Sequence, residues 1–86
     1  MEPTIKDLNV KKTLLSTATA NGNDVTEVNI KKLILRPVMK RIVFVTEEFD
    51  RVIVFEGETD FEAHKGDSDD ALTAALLSKI DADHKK

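Results

Sequence analysis

The densest apolar patterning lies between residues 41 and 56, where "RIVFV" and "RVIVF" are two β-rich runs separated by the polar "TEEFD". β-Branched and aromatic side chains flanking a short polar break predict a β-hairpin. Pairing Thr46 with Arg51 closes a four-residue loop and sets Val45 opposite Val52, Phe44 opposite Ile53, Val43 opposite Val54, Ile42 opposite Phe55 and Arg41 opposite Glu56. In that register, alternation sends Ile42, Phe44, Ile53 and Phe55 to one face and Val43, Val45, Val52 and Val54 to the other. A strand pair apolar on both faces belongs at the centre of a sheet covered on both sides.

Upstream, Leu8, Val10, Leu14, Ala18 and Ala20 share one parity, with Thr at 13, 17 and 19, which is strand patterning. Asn21-Gly22 then supplies a two-residue turn that tolerates positive φ, so a first hairpin is predicted, about 10–20 against 25–35. A competing pattern starts a helix at Thr4, with Asp7 three residues on as in a capping box. Apolar parity switches near Lys31 and Lys32, where a bulge fits, and Pro37 marks a strand end, an edge or a bend. "ETDFEAH" offers a short further strand. Ser68 or Asp67 caps a helix running to about Ile80, with Asp69 and Asp70 at the positive end of its dipole and Leu72, Leu76 and Ile80 on one face. The tail 81–86 is expected to fray.

These elements predict an α+β fold: an antiparallel sheet of about four strands, two hairpins, with the C-terminal helix packed on one face. A helix of about 12 residues spans roughly 18 Å and covers one face only. The other face must be met by the N-terminal segment or by a second subunit. A chain of 86 residues forms one domain over 1–86 with a small core, and without cysteine no disulfide can supplement it. The lack of cysteine, of a long apolar run and of a secretory h-region in "MEPTIKDLNVKK" points to a cytoplasmic chain away from membranes.

Charge changes the picture in one place. The stretch 31–45 sums to +5 and the stretch 46–70 to −8, inside a chain of net charge −3. Lys31, Lys32, Arg36, Lys40 and Arg41 could neutralise phosphates, which makes nucleic acid the alternative partner. Against it stand the acidic total, the acidic partner strand and an aromatic set of four Phe with no Tyr or Trp, which leaves little surface for stacking bases. Arg41 opposite Glu56 is the first sign that the basic block is neutralised within the fold.

Candidate chemistry is sparse. On a strand, Asp60, Glu62 and His64 would project to one face and could hold a divalent ion, but exposed polar positions on a strand look the same, and no metal or cofactor is expected. "DSDDA" lacks the glycine and fifth-position ligand of a calcium loop and reads as a helix cap. Glu47 and Glu48 read as solvated turn residues. Ser16, Ser68 and Ser78 have no nucleophile-elbow context, so no catalytic residues are assigned and an enzyme is not expected.

"NGNDVTEV", with "LRP" at 35–37, resembles the short opening hairpin of phage tail assembly chaperones. The likeness covers about a dozen residues of common hairpin chemistry. It implies a phage-type structural or assembly factor, from which "RIVFVTEEFDRVIVFEG" departs by forming a second hairpin where that family is mainly helical. The main expectation is a non-enzymatic protein-interaction or assembly module. Its interface residues are Val43, Val45, Val52 and Val54, and its partner is a second copy, as a dimer, or another protein.

Overall fold

A computed structural model describes residues 2–86. Four strands, β1 (Thr4–Ala20), β2 (Asn23–Arg36), β3 (Arg41–Thr46) and β4 (Asp50–Glu56), form one antiparallel sheet in the order β1-β2-β3-β4. Two helices follow, α1 (Glu58–His64) and α2 (Asp69–His84). The fold is therefore α+β with α2 packed on the sheet, and no helix of the described residues is long and apolar enough to cross a membrane.

The first hairpin turns at Asn21-Gly22, whose φ angles of 53° and 80° are both positive, the condition for a tight turn that follows strand twist. β1 is strand from Thr4, so the helix considered there does not form; its threonines and alternating apolar residues suit a pleated edge. Breaks in the β1/β2 register between Asp7 and Val10 and between Thr13 and Ala18 bend the long edge strand, the first with Asn9 at φ 50°. The parity switch in β2 corresponds to a register shift between Ile30 and Lys32 opposite β3.

The second hairpin differs from expectation in its inner pairs. Arg41 faces Glu56 and Ile42 faces Phe55, but beyond a break Val43 faces Ile53, Phe44 faces Val52, Val45 faces Arg51 and Thr46 faces Asp50. The loop is one residue shorter than the pattern suggested because Asp50 adopts φ 54°, which closes three residues, Glu47 to Phe49. Thr46 reinforces the closure: its hydroxyl accepts from the Phe49 N–H at 2.9 Å and donates to the Asp50 carbonyl at 3.2 Å. Glu48 is not merely solvated; its carboxylate accepts from the backbone and side-chain nitrogens of Asn29 at 2.8 and 2.6 Å, fastening the loop to β2.

"ETDFEAH" is helix, not strand. Gly57 leaves β4 at φ 101°, Glu58 and Asp60 favour the positive end of a helix dipole, and a single apolar side chain, Phe61, is inserted into the core. Ser68 caps α2, accepting from the Ala71 N–H at 3.1 Å. The helix continues one turn beyond Ile80, and the expected loose tail is tied down: Ser16 donates to Asp81, Phe49 lies 4.9 Å from His84, and the Lys86 N–H donates to the Thr17 carbonyl at 2.9 Å.

One core results. Leu14, Ala18, Val28, Ile30, Leu33, Ile42, Phe44 and Val52 from the sheet meet Phe61, Leu72, Leu76 and Ile80 from the helices. Leu76→Ala is expected to lower the unfolding free energy by about 2–5 kcal/mol, read by urea denaturation. Asp50 is exposed, yet Asp50→Val should still cost about 1–2 kcal/mol because a β-branched residue resists positive φ. A neutral Asp50→Val would restore the longer loop.

Candidate interaction face

Because both helices contribute to a single core, the opposite face of the sheet has no helical layer over it among the described residues. Alternation and register lay its side chains out in three rows across the strands. The central row is Ile5, Ile34, Val43 and Ile53, each paired with the next from β1 to β4. On one side lie Arg36, Arg41 and Glu56; on the other lie Asp7, Lys32, Val45 and Arg51. A branched aliphatic row about 14 Å long, three strand spacings, is thus bordered on both sides by charge.

The ends of this row are open and its middle is not. Ile5 and Ile53 are 56% and 37% exposed, whereas Ile34 and Val43 are 5% and 4% exposed. Val43 forms the floor of a hollow of about 160 Å³ walled by Arg36, Met39, Arg41, Arg51 and Ile53. Long side chains with apolar stems and charged heads occupy the place a covering element would take. Met39, 48% exposed, reaches this hollow from the β2–β3 turn, and its sulfur accepts from Arg36 at 3.6 Å.

The four valines assigned to one surface are divided. Val43 and Val45 are on the open face, but Val52 belongs to the core and Val54, in the break between pairs, packs against it. Ile53, expected inside, takes their place outside. The three-residue loop is the cause, since it shifts β4 by one residue relative to β3 and exchanges its faces. Asp50 at positive φ has no sequence signal as strong as Asn-Gly, so the exchange was not legible beforehand.

The basic stretch is distributed. Lys31 pairs with Glu47 at 2.9 Å, Lys32 with Asp7 at 3.3 Å, Lys40 with Glu62 at 3.5 Å and Arg41 with Glu56 at 2.5 Å. Arg36 has no ion pair among the described residues, and neither does Arg51, which sequence reasoning did not single out. Lys40 is also drawn away from the open face, with its Nζ 5.5 Å from the centre of the Phe61 ring.

Asp60, Glu62 and His64 lie on α1, where Asp60 and His64, four residues apart, share a side and Glu62 between them is turned away from it. His64 stacks on Phe55 with 3.8 Å between ring centres and bonds Asp67 at 2.8 Å. Glu62 is held below the usual glutamate range, first by its hydrogen bond with Lys65; desolvation opposes this, and the charge of Lys65 and then the hydrogen bond and charge of Lys40 add to the lowering.

Comparison with protein-family models, with curated proteins and with solved structures finds no match.

Lys65→Ala is expected to raise the titration midpoint of Glu62, read from its side-chain carboxyl resonance. In the native chain the depressed value means that this contact is present above the ordinary glutamate range and is lost as the pH falls through the folded-state midpoint. An unmoved midpoint would exclude Lys65 as its main cause.

Proposed function

We propose that this chain is a non-enzymatic, cytoplasmic protein-interaction module that docks another polypeptide on the open face of its sheet. The observation that carries the reading is the unbroken row Ile5, Ile34, Val43 and Ile53 on the face opposite the single core. An aliphatic row with exposed ends gains from a covering layer, since fully burying one such side chain contributes about 1.5–3 kcal/mol. Three of the side chains weighed for chemistry have structural roles: Ser16 holds Asp81, Ser68 caps α2, and His64 is bound between Phe55 and Asp67.

Self-association through this face, the expectation from sequence, meets an electrostatic objection. Lys32, Arg36, Arg41 and Arg51 outnumber Asp7 and Glu56 in its bordering rows. Two such faces laid together would oppose like charge, so a different chain is the better partner. A nucleic-acid partner is less favoured because Asp7 and Glu56 interrupt the cations and the centre of the face is aliphatic.

Ile53→Asp should abolish partner capture from the native cells while leaving the melting temperature within a few degrees, because Ile53 is outside the core. Ala74→Asp, exposed on α2, should leave capture intact. Capture by both variants at the native level would contradict the reading.

A further inference from the structure

Resting on the reading of the open face as a docking surface, we infer that its occupant is an acidic amphipathic helix of another protein, which supplies in trans the layer that α2 supplies on the opposite face. Three features of the face lead to this partner. The first is the arrangement of charge. The apolar row is bordered by cations on both long sides, with Arg36 and Arg41 along one and Lys32 and Arg51 along the other. An extended strand lying on the sheet would direct a single line of alternate side chains toward it. A helix presents an apolar stripe with residues flanking it on both sides, which is the complement of a row bordered twice.

The second feature is which cations remain available. Asp7 and Glu56 neutralise Lys32 and Arg41, whereas Arg36 and Arg51 lie on opposite sides of the row with no ion pair among the described residues. Both also wall the hollow over Val43. A planar guanidinium on each side, with an aliphatic floor between them, favours carboxylates flanking a leucine or isoleucine. The third feature is size. A row of about 14 Å matches between two and three turns of helix, about nine residues at 1.5 Å each.

The molecule's own helical layer follows a related rule. Residues 58–84 carry eight carboxylates against two lysines, so the helices covering the closed face are themselves acidic. That layer faces away from the open row in the same copy. A second copy presenting its helices there would generate an open-ended stack, because such a contact is head to tail.

The test is a selection on the intact chain. A displayed library of helical peptides of about sixteen residues, about 24 Å, carries a fixed leucine/isoleucine stripe with Glu, Gln or Lys varied at the flanking positions. Enrichment of Glu on both flanks is expected. The selected peptide should perturb the methyl resonances of Ile5 and Ile53, gain helical circular dichroism on binding, and bind roughly tenfold more weakly to Arg36→Glu/Arg51→Glu. Lys11→Glu/Lys12→Glu, which alters exposed cations on the edge strand β1, should bind it as the native chain does.

Enrichment of Lys or Gln, or undiminished binding to Arg36→Glu/Arg51→Glu, would overturn the acidic partner while leaving the docking face in place. Selected peptides bound equally by Ile53→Asp would overturn the docking face itself. Preferential binding of an oligonucleotide at Ile5 and Ile53 would overturn the helix in favour of nucleic acid. Sedimentation of the isolated chain as an open-ended series of species would replace the foreign helix with a second copy.

Discussion

A four-stranded sheet has two faces, and this chain provides helices for one. That imbalance governs the rest of the structure. The core forms where α1 and α2 can reach, on the side of Leu33, Ile42, Phe44 and Val52, with Phe61, Leu72, Leu76 and Ile80 opposite them. On the other side, Ile34 and Val43 are buried as well, and Val43 lies beneath long basic side chains and Met39 from the β2–β3 turn. Stems of Arg and Lys can shield aliphatic side chains while their heads stay in water. They do so only at the middle of the sheet, and Ile5 and Ile53 on the edge strands stay open.

The same imbalance organises charge. Helices begin and end with polar residues, and here α1 and α2 carry acids in their first turns, where the dipole favours them. The open sheet face carries more Arg and Lys than Asp and Glu in the rows around its apolar centre. A protein with a net charge of −3 can therefore present a locally cationic, aliphatic surface on one side. Individual surface ion pairs such as Lys32 with Asp7 contribute little to stability, about 0–1 kcal/mol. Their consequence is selective: on the open face they leave Arg36 and Arg51 without an ion pair among the described residues.

Much of this architecture was legible in the sequence because it depends on local chemistry. Asn21-Gly22 marked the first hairpin, Ser68 followed by two aspartates marked α2, and the β-rich runs marked β3 and β4. Arg41 opposite Glu56 was also recoverable, since it lies beyond the break that restores register. What was not legible depended on a single backbone angle. Asp50 at φ 54° shortened the loop, moved Val52 inside and brought Ile53 out, so the four valines expected on one face are divided between two. The last turn of α2 was missed because its anchors, Ser16, Phe49 and Thr17, are distant in sequence. α1 was missed because its seven residues hold one large apolar side chain and show no periodicity.

The central claim is that one face of the sheet lacks an intramolecular layer, and solvent access to isoleucine methyl groups tests it most directly. Paramagnetic relaxation by an inert soluble probe, measured on the isolated chain, should be strong at Ile5 and Ile53 and weak at Ile30, Ile42 and Ile80, with Ile34 shielded by its neighbours. Ile53 as protected as Ile42 in a monomer would contradict the account, because it would mean that the face is covered from within the chain.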